Sequence, residues 1–118
     1  MIWRGDALYY TMPTALLKID FDGHRLGAGK VRLLELVVDM GSISKAAKAM
    51  DMSYRRAWLL VDELNSMFGK PVVETLAGGA GGGGARVTEF GLELVQTFRK
   101  VEAQVQGDVV AAFKRIVP

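Results

Sequence analysis

The sequence predicts a mainly α-helical domain with a small β-hairpin and a long C-terminal helix. Residues 41–69 read as two short helices, residues 72–76 and 85–88 read as strands on either side of a glycine run, and residues 88–117 contain no proline. The 118 residues, half of them hydrophobic, suffice for one core. We therefore predict a single domain over 1–118: an N-terminal extension (1–14), a strand and turn (15–27), the helices and hairpin (28–87) and the last helix (88–117).

The first elements follow from alternation and from turn residues. Residues 15–21 alternate well enough for a strand, and Asp22, Gly23 and His24 are typical of the turn that ends it. Residues 28–40 are predicted to form a helix that ends at Gly41. Apolar side chains cover most of the surface of this helix, and a single small domain is not expected to bury so much apolar surface. Leu34 and Val38 are therefore predicted to face a second copy of the chain.

The next two helices are marked by serines at their starts. Ser42 or Ser44 can cap the first helix, and Ser53 can cap the second. Ala46, Ala47 and other small residues permit the two helices to cross closely. This is the plan of a helix-turn-helix, although capped helix pairs also occur in domains that do not touch nucleic acid.

The charges around this pair favour DNA binding. Between positions 45 and 60 the sequence has one acidic residue, Asp51, and four basic ones: Lys45, Lys48, Arg55 and Arg56. The two arginines fall in the first turn of the second helix. Arg55 is the predicted base contact, because a guanidinium can address guanine O6 and N7 together. The lysines are predicted to contact the DNA backbone.

The hairpin that follows is predicted to be the wing of a winged helix-turn-helix. Arg86 lies at its base and is expected to contact a phosphate or the minor groove. The glycine run at 78–84 could be a phosphate cradle, a linker or the wing tip. It lacks the lysine and hydroxyl residue of a P-loop, and a wing tip in which Gly82 and Gly83 approach phosphates fits best.

The C-terminal helix is predicted to begin after Thr88, its N-cap, and to carry a stripe at helical spacing that includes Leu94, Phe98, Val101, Val105 and Val109. Because nearly thirty helical residues exceed the width of a small domain, we predict that the stripe joins a homodimer. The alternative is a helix that breaks near Gly107 and folds back on its own core.

Composition excludes several other classes of protein. The chain has no cysteine and one histidine, which excludes cysteine-based zinc fingers, thiol nucleophiles and disulfides, and His24 is interpreted as a turn residue. No paired histidine and carboxylate, nucleophile elbow or metal-ligand spacing supports an enzyme, a metal site or a cofactor. No membrane-spanning run or signal peptide is present, so a cytoplasmic location is expected.

Several motifs resemble one family in order and spacing over residues 16–100. They are Gly-Ser-Ile-Ser-x-Ala-Ala, Met-Ser-Tyr-x-x-Ala-Trp, Val-Glu, and Gly-Gly-Gly-Gly-Ala-Arg-Val-Thr followed by x-Phe-Gly. The chain resembles the N-terminal DNA-binding domain of ModE-type molybdate-responsive regulators, which is related to that of LysR-type regulators. The resemblance implies a dimeric winged-helix transcription factor with Ser53, Tyr54 and Arg55 at the front of the reading helix. Trp58 follows one turn later and could equally belong to the core.

The chain also departs from that family. Ala80 stands where the glycine run usually carries a lysine, and Arg56 replaces a residue that is usually small. Full-length sensors of the family carry C-terminal molybdate-binding domains, whereas this sequence stops at Pro118, so molybdate is not expected to bind it.

The function expected from these observations is sequence-specific transcriptional regulation by a homodimer on a near-palindromic DNA operator. The alternative is an adaptor that dimerises or binds a partner protein through a winged-helix scaffold. The predicted DNA contacts are Ser44, Lys45, Lys48, Ser53, Tyr54, Arg55, Arg56, Trp58, Gly82, Gly83 and Arg86. The predicted dimer contacts are Leu34, Val38, Leu94, Phe98, Val101, Val105 and Val109.

Overall fold

A computed structural model describes residues 12–76 and 84–117 of the chain. These residues contain four α-helices and two antiparallel two-stranded sheets, which confirms the mainly α-helical class with a small wing and a long C-terminal helix. Residues 18–98 form one compact unit, and residues 12–17 and 99–117 belong to a second.

The chain enters the first unit through a hairpin of β1 (Lys18–Phe21) and β2 (His24–Gly27). Phe21 pairs with His24, and the two residues between them, Asp22 and Gly23, have φ of 52° and 95°. Two positive φ values in a two-residue loop define the turn whose twist matches that of paired strands. Strand β1 is therefore shorter than the predicted strand over 15–21. His24 belongs to β2, a strand that was not predicted because Leu26 is its only buried residue.

Helix α1 (Ala28–Met40) has the predicted bounds. Gly41 ends it in the left-handed conformation, with φ of 65° and its N–H donating to the Val37 carbonyl at 2.8 Å. The expectation that one domain could not cover this helix is wrong for most of its apolar residues. Leu34 is fully buried within the chain and has no surface left for a second copy, whereas Val38 remains 48% exposed.

Helices α2 (Ile43–Ala49) and α3 (Tyr54–Met67) form the predicted pair. The Ser42 hydroxyl accepts from the Lys45 N–H, and the Ser53 hydroxyl accepts from the Arg56 N–H, each at 3.1 Å. Ser42 is thus the cap of α2. Ala46 and Ala57 are fully buried, as a close crossing of these helices requires.

The wing consists of β3 (Val73–Thr75) and β4 (Ala85–Val87) in antiparallel register. The Leu76 N–H donates to the Gly84 carbonyl at 2.8 Å, which continues the pairing one residue beyond Thr75 and Ala85. The Ala85 N–H donates to the Gly41 carbonyl at 3.0 Å, which joins the wing to the turn between α1 and α2.

Asn65, near the end of α3, holds the base of the wing, where β3 begins. Its Oδ1 accepts from the N–H groups of Val72 and Val73, at 2.7 and 3.0 Å, and its Nδ2 donates to the Val73 carbonyl at 3.1 Å. One side chain therefore satisfies three backbone groups where the strand begins.

Helix α4 (Glu89–Lys114) begins at the wing base. The Thr88 hydroxyl accepts from the Gly91 N–H at 3.0 Å, as expected of the predicted cap. A Cβ on Gly91 would lie 2.6 Å from the Val72 carbonyl oxygen, so only glycine allows this approach. The helix continues through Gly107 without the break considered as an alternative.

The core of the larger unit takes side chains from each helix, from β2 and from the wing. It comprises Leu26, Val31, Leu33, Leu34, Leu36, Val37, Ile43, Ala46, Ala47, Ala57, Val61, Leu64, Val72, Val73, Ala85, Val87, Val95 and Phe98. Phe98 is only 1% exposed, so its predicted place in a dimer interface is also wrong: the aromatic ring completes the chain's own core.

In the smaller unit, Gln106 bonds to the segment that precedes β1. Its Oε1 accepts from the Ala15 N–H at 2.7 Å, and its Nε2 donates to the Pro13 carbonyl at 3.0 Å. Across the described parts of the chain, no helix has the length and apolar content needed to cross a bilayer.

Candidate nucleic-acid interface

Helix α3 presents an exposed ridge opposite its buried face. Ala57, Val61 and Leu64 point into the core, and successive residues on a helix are separated by about 100°. Arg55 and Leu59 consequently lie on the outer side, and Leu59 is 58% exposed. The sequence reading missed Leu59, although its position one turn after Arg55 could have indicated it. An exposed leucine beside an arginine is suited to contact a thymine methyl group.

The cations predicted to bind DNA are all exposed. Lys45 and Lys48 lie on α2, and Arg55 and Arg56 lie in the first turn of α3. Within residues 12–76 and 84–117, none of these four side chains forms an ion pair. Their charges therefore remain available for an anionic partner.

A groove of about 280 Å³ runs along α3 toward the wing. Tyr54 and Trp58 line one side, with ring centroids 6.1 Å apart and ring planes at 77°, an edge-to-face contact. Ser44 and Gly84 are also among its lining residues. Trp58 is half-buried, so it lies in this groove rather than in the core, a choice that the sequence had left open.

The wing carries an ion pair that the sequence reading did not anticipate. Glu74 and Arg86 face each other across β3 and β4, and Nη2 of Arg86 lies 2.9 Å from Oε1 of Glu74. Both side chains are exposed. A phosphate would have to compete with Glu74 for Arg86. Pairing Val73 with Val87, the two buried ends of the strands, would have revealed this contact from sequence.

The remaining predicted residues divide into two sets. Gly82 and Gly83, like Ala80, lie outside the described residues. Among the predicted dimer contacts, Val38 is exposed, and four positions on α4 are half-buried: Leu94, Val101, Val105 and Val109. These five keep surface that a second copy could cover.

His24 takes part in an ion-pair cluster near the first hairpin. Its Nδ1 lies 3.3 Å from Oε2 of Glu63, and the Lys30 ammonium lies 3.0 Å from the same oxygen. The hydrogen bond from Lys30, assisted by that from His24, holds the pKa of Glu63 below its ordinary value. In the described part of the chain, no three histidine, aspartate or glutamate side chains are grouped as a metal site requires.

The sequence matches the family model described as bacterial regulatory helix-turn-helix protein, LysR family, over residues 29–92. This range begins within α1 and ends within α4, so it contains the helix pair and the wing.

Curated relatives match about two thirds or more of the chain. It is 38% identical over 93 residues to the "Molybdenum transport protein ModE" of Azotobacter vinelandii, covering 78% of this chain and 34% of that protein. It is 44% identical over 78 residues to the "Molybdenum-pterin-binding protein MopA" of Rhodobacter capsulatus, covering 66% and 29%. It is 39% identical over 77 residues to the "DNA-binding transcriptional dual regulator ModE" of Escherichia coli K12, covering 65% and 29%. The matched part spans about a third of the length of these relatives.

Proposed function

The chain belongs to the LysR family of bacterial regulatory helix-turn-helix proteins, and on that premise we propose that it regulates transcription by sequence-specific binding to double-stranded DNA. The observation that carries this proposal is the front of α3. Residues 52–61 contain no acidic side chain, and Ser53, Tyr54, Arg55 and Leu59 are all exposed there. A helix with such a ridge fits the major groove, where base edges carry a distinct pattern of donors and acceptors.

The predicted contacts on α2 and α3 would serve different parts of the DNA surface. Arg55 would address guanine, and Leu59 a neighbouring thymine methyl group. Tyr54, Trp58 and Ser44 would meet sugar and phosphate along the groove beside the wing, while Lys45 and Lys48 would neutralise phosphates from α2. Arg56 lies on the opposite flank of α3, away from the wing.

The experiment is selection of bound sequences from a random DNA pool. Wild-type protein is expected to enrich one motif, and Arg55→Ala is expected to lose preference at one position of it, at about 1–3 kcal/mol of discrimination. Lys100→Ala, an exposed change on α4, serves as the matched control and should leave the motif unchanged. Failure of wild-type protein to enrich any motif would contradict the function. An unchanged motif with Arg55→Ala would contradict only the role of Arg55.

We further propose that the active species is a homodimer on a near-palindromic operator, with half-sites about 34 Å apart. Support comes from the apolar surface that remains on Val38 and on Leu94, Val101, Val105 and Val109 of α4. The double variant Val101→Glu/Val105→Glu should give a monomer in sedimentation and should abolish tight operator binding. A wild-type monomer at micromolar concentration that still binds a palindrome tightly would exclude the dimer.

The second candidate is an adaptor that dimerises or binds a partner protein without binding DNA tightly. The Glu74–Arg86 ion pair favours it, because it occupies the cation that the wing was predicted to offer to DNA. Recovery of one motif in the selection experiment would decide against the adaptor.

The proposed activity requires neither catalysis nor a cofactor. We place it in the cytoplasm, where the protein would reach DNA directly. Although the printed names of relatives refer to molybdenum, we do not propose that this part of the chain binds molybdate. The N–H groups of Lys45 and Arg56 already donate to the capping hydroxyls of Ser42 and Ser53, and a selective oxyanion site needs several free converging donors. Calorimetry should show no micromolar binding of molybdate or sulfate.

A further inference from the structure

A second concave surface borders α3 on the flank away from the wing. This cavity, of about 270 Å³, has an apolar floor that includes Met50, Met52 and Leu60. Its rim carries four cations from four elements: Lys18 of β1, Arg25 of β2, Lys30 of α1 and Arg56 of α3. No carboxylate is among the residues that line it.

Most of this positive charge is uncompensated. Lys30 is paired with Glu63, but Lys18, Arg25 and Arg56 form no ion pair within the described residues. Asp20 pairs with Arg25 in the strand register, yet its Oδ1 accepts from the Gly23 N–H in the turn. Like charges around one concavity repel one another, and an anion that enters it relieves the repulsion.

The backbone adds to this field. Helix α1 starts at the cavity, no side chain caps its first turn, and that turn holds no acidic residue. Its free N–H groups carry partial positive charge. A side chain on Gly29 would meet nothing within 4 Å, so an anion can approach this backbone closely.

The position of the cavity identifies the anion. Tyr54 lines the groove beside the wing, and Arg56 lines the cavity, about 200° further around α3. A helix inserted into a major groove has one DNA backbone along each flank. We propose that Lys18 and Arg25, together with Arg56, bind a phosphate of the DNA backbone that borders the major groove on the side away from the wing. This inference rests on the proposed function.

The shared chemistry is a phosphate group, which could belong to DNA or to a free anion. The experiment compares wild-type protein with Lys18→Ala/Arg25→Ala on the selected operator over a range of salt concentrations. Both substituted side chains are exposed, so the fold should survive, as circular dichroism would show. Lys100→Ala/Lys114→Ala, two exposed lysines of α4, is the matched control.

We expect the double variant to lower the slope of log affinity against log salt by about 0.9 for one lost phosphate, and to weaken all sequences alike. The control should keep the wild-type slope. A methylphosphonate scan of the operator then locates the contact: one neutral phosphate should weaken wild-type binding and have no further effect on the variant. An unchanged slope, or the absence of such a phosphate, overturns the proposal.

Calorimetry with inorganic phosphate separates the two sources. No micromolar binding is expected, because an open rim should bind a phosphate that the duplex holds in position more tightly than it binds a free phosphate. Micromolar phosphate binding that the double variant loses, with the salt slope unchanged, would assign the cavity to a free anion. If wild-type protein bound no duplex, the proposed function would fail together with this inference. If the wild-type protein bound the operator and the double variant behaved like it, only this inference would fail.

Discussion

The two hairpins of this protein are determined by different kinds of interaction. The β1–β2 hairpin is specified at its tip, where Asp22 and Gly23 adopt the positive φ values that a two-residue loop requires. The wing is held by contacts with other elements: Asn65 of α3 accepts and donates hydrogen bonds where β3 begins, and the Gly41 carbonyl accepts from the Ala85 N–H of β4. A local turn signal can therefore reveal the first hairpin, whereas the second depends on tertiary contacts.

The hairpins also differ in their charges. Lys18 and Arg25 of the first hairpin lack an ion pair within the described residues, and both border a cavity beside α3. The wing cation, Arg86, is held by Glu74. For the proposed DNA binding, the position of the wing directly after α3 does not by itself make it the stronger candidate for a phosphate contact. Here the hairpin that precedes the helices carries more free positive charge.

The largest expected effect tests how the base of the wing is held. Gly91→Ala would place a Cβ 2.6 Å from both the Val72 carbonyl oxygen and Cγ1 of Val87. We expect a loss of about 3 kcal/mol in the free energy of unfolding, at the upper end of overpacking costs, measured by urea denaturation. Gly107→Ala, on the same helix with nothing within 4 Å, should instead gain about 0.5–1 kcal/mol. Equal stabilities of the two variants would contradict the tight approach of α4 to the wing.

The second prediction concerns the hydrogen bonds at the wing base. Asn65→Ala removes the acceptor of two backbone N–H groups at Val72 and Val73, both buried residues. The expected loss is about 2 kcal/mol, within the cost of unsatisfied buried groups. Ser66→Ala, next on the helix and exposed, loses only a bond to the Asp62 carbonyl and should change stability by less than about 0.5 kcal/mol. Near-wild-type stability of Asn65→Ala would mean that water replaces the amide.

A third, smaller effect is expected at the tip of the first hairpin. Gly23→Ala forces a Cβ into a conformation with φ of 95°, and the expected cost is about 1 kcal/mol in urea denaturation. Gly29→Ala also has open space around it but lies in α1 with ordinary helical φ, so it should lose nothing. If Gly23→Ala and Gly29→Ala had the same free energy of unfolding, the turn would not determine the hairpin.

The smallest effect on folding is expected from the wing ion pair. Glu74→Gln should change stability by less than about 1 kcal/mol, because the pair is exposed. It should nevertheless tighten DNA binding at low salt and steepen the salt slope by up to about 0.9, since Arg86 becomes free for a phosphate. Glu93→Gln, an exposed change on α4, controls for net charge. Weaker binding by Glu74→Gln would indicate that Glu74 positions Arg86 for DNA rather than competing with it.

The sequence predicted those elements whose signals are local. Gly41 marked the end of α1, Ser53 marked the start of α3, and Thr88 marked the start of α4. For α2 the sequence offered Ser42 or Ser44, and Ser42 is the cap. Each signal arises from the backbone requirements of one turn of chain, so no tertiary information was needed. Strand β2 was missed because only Leu26 among its four residues is buried, too little for an alternating pattern.

Features that depend on packing between elements could not be predicted in the same way. Leu34 and Phe98 belong to apolar stripes wider than a single interface, and only the fold shows which members the domain itself covers. The cavity flanked by Lys18 and Arg56 joins residues far apart in sequence, so their shared location follows from the packing of the first hairpin against the helices.

The hydrogen bond between the Leu76 N–H and the Gly84 carbonyl has a consequence for how the domain tolerates insertions. It brings the two ends of the intervening segment together at one point. Residues can therefore be added to or removed from that segment while Arg86 stays in register with Glu74. The entropic cost of closing a loop, expressed as free energy, rises slowly, by about 0.6 kcal/mol for each doubling of the loop length. Lengthening the segment between the two strands of the wing should therefore cost little in the free energy of folding.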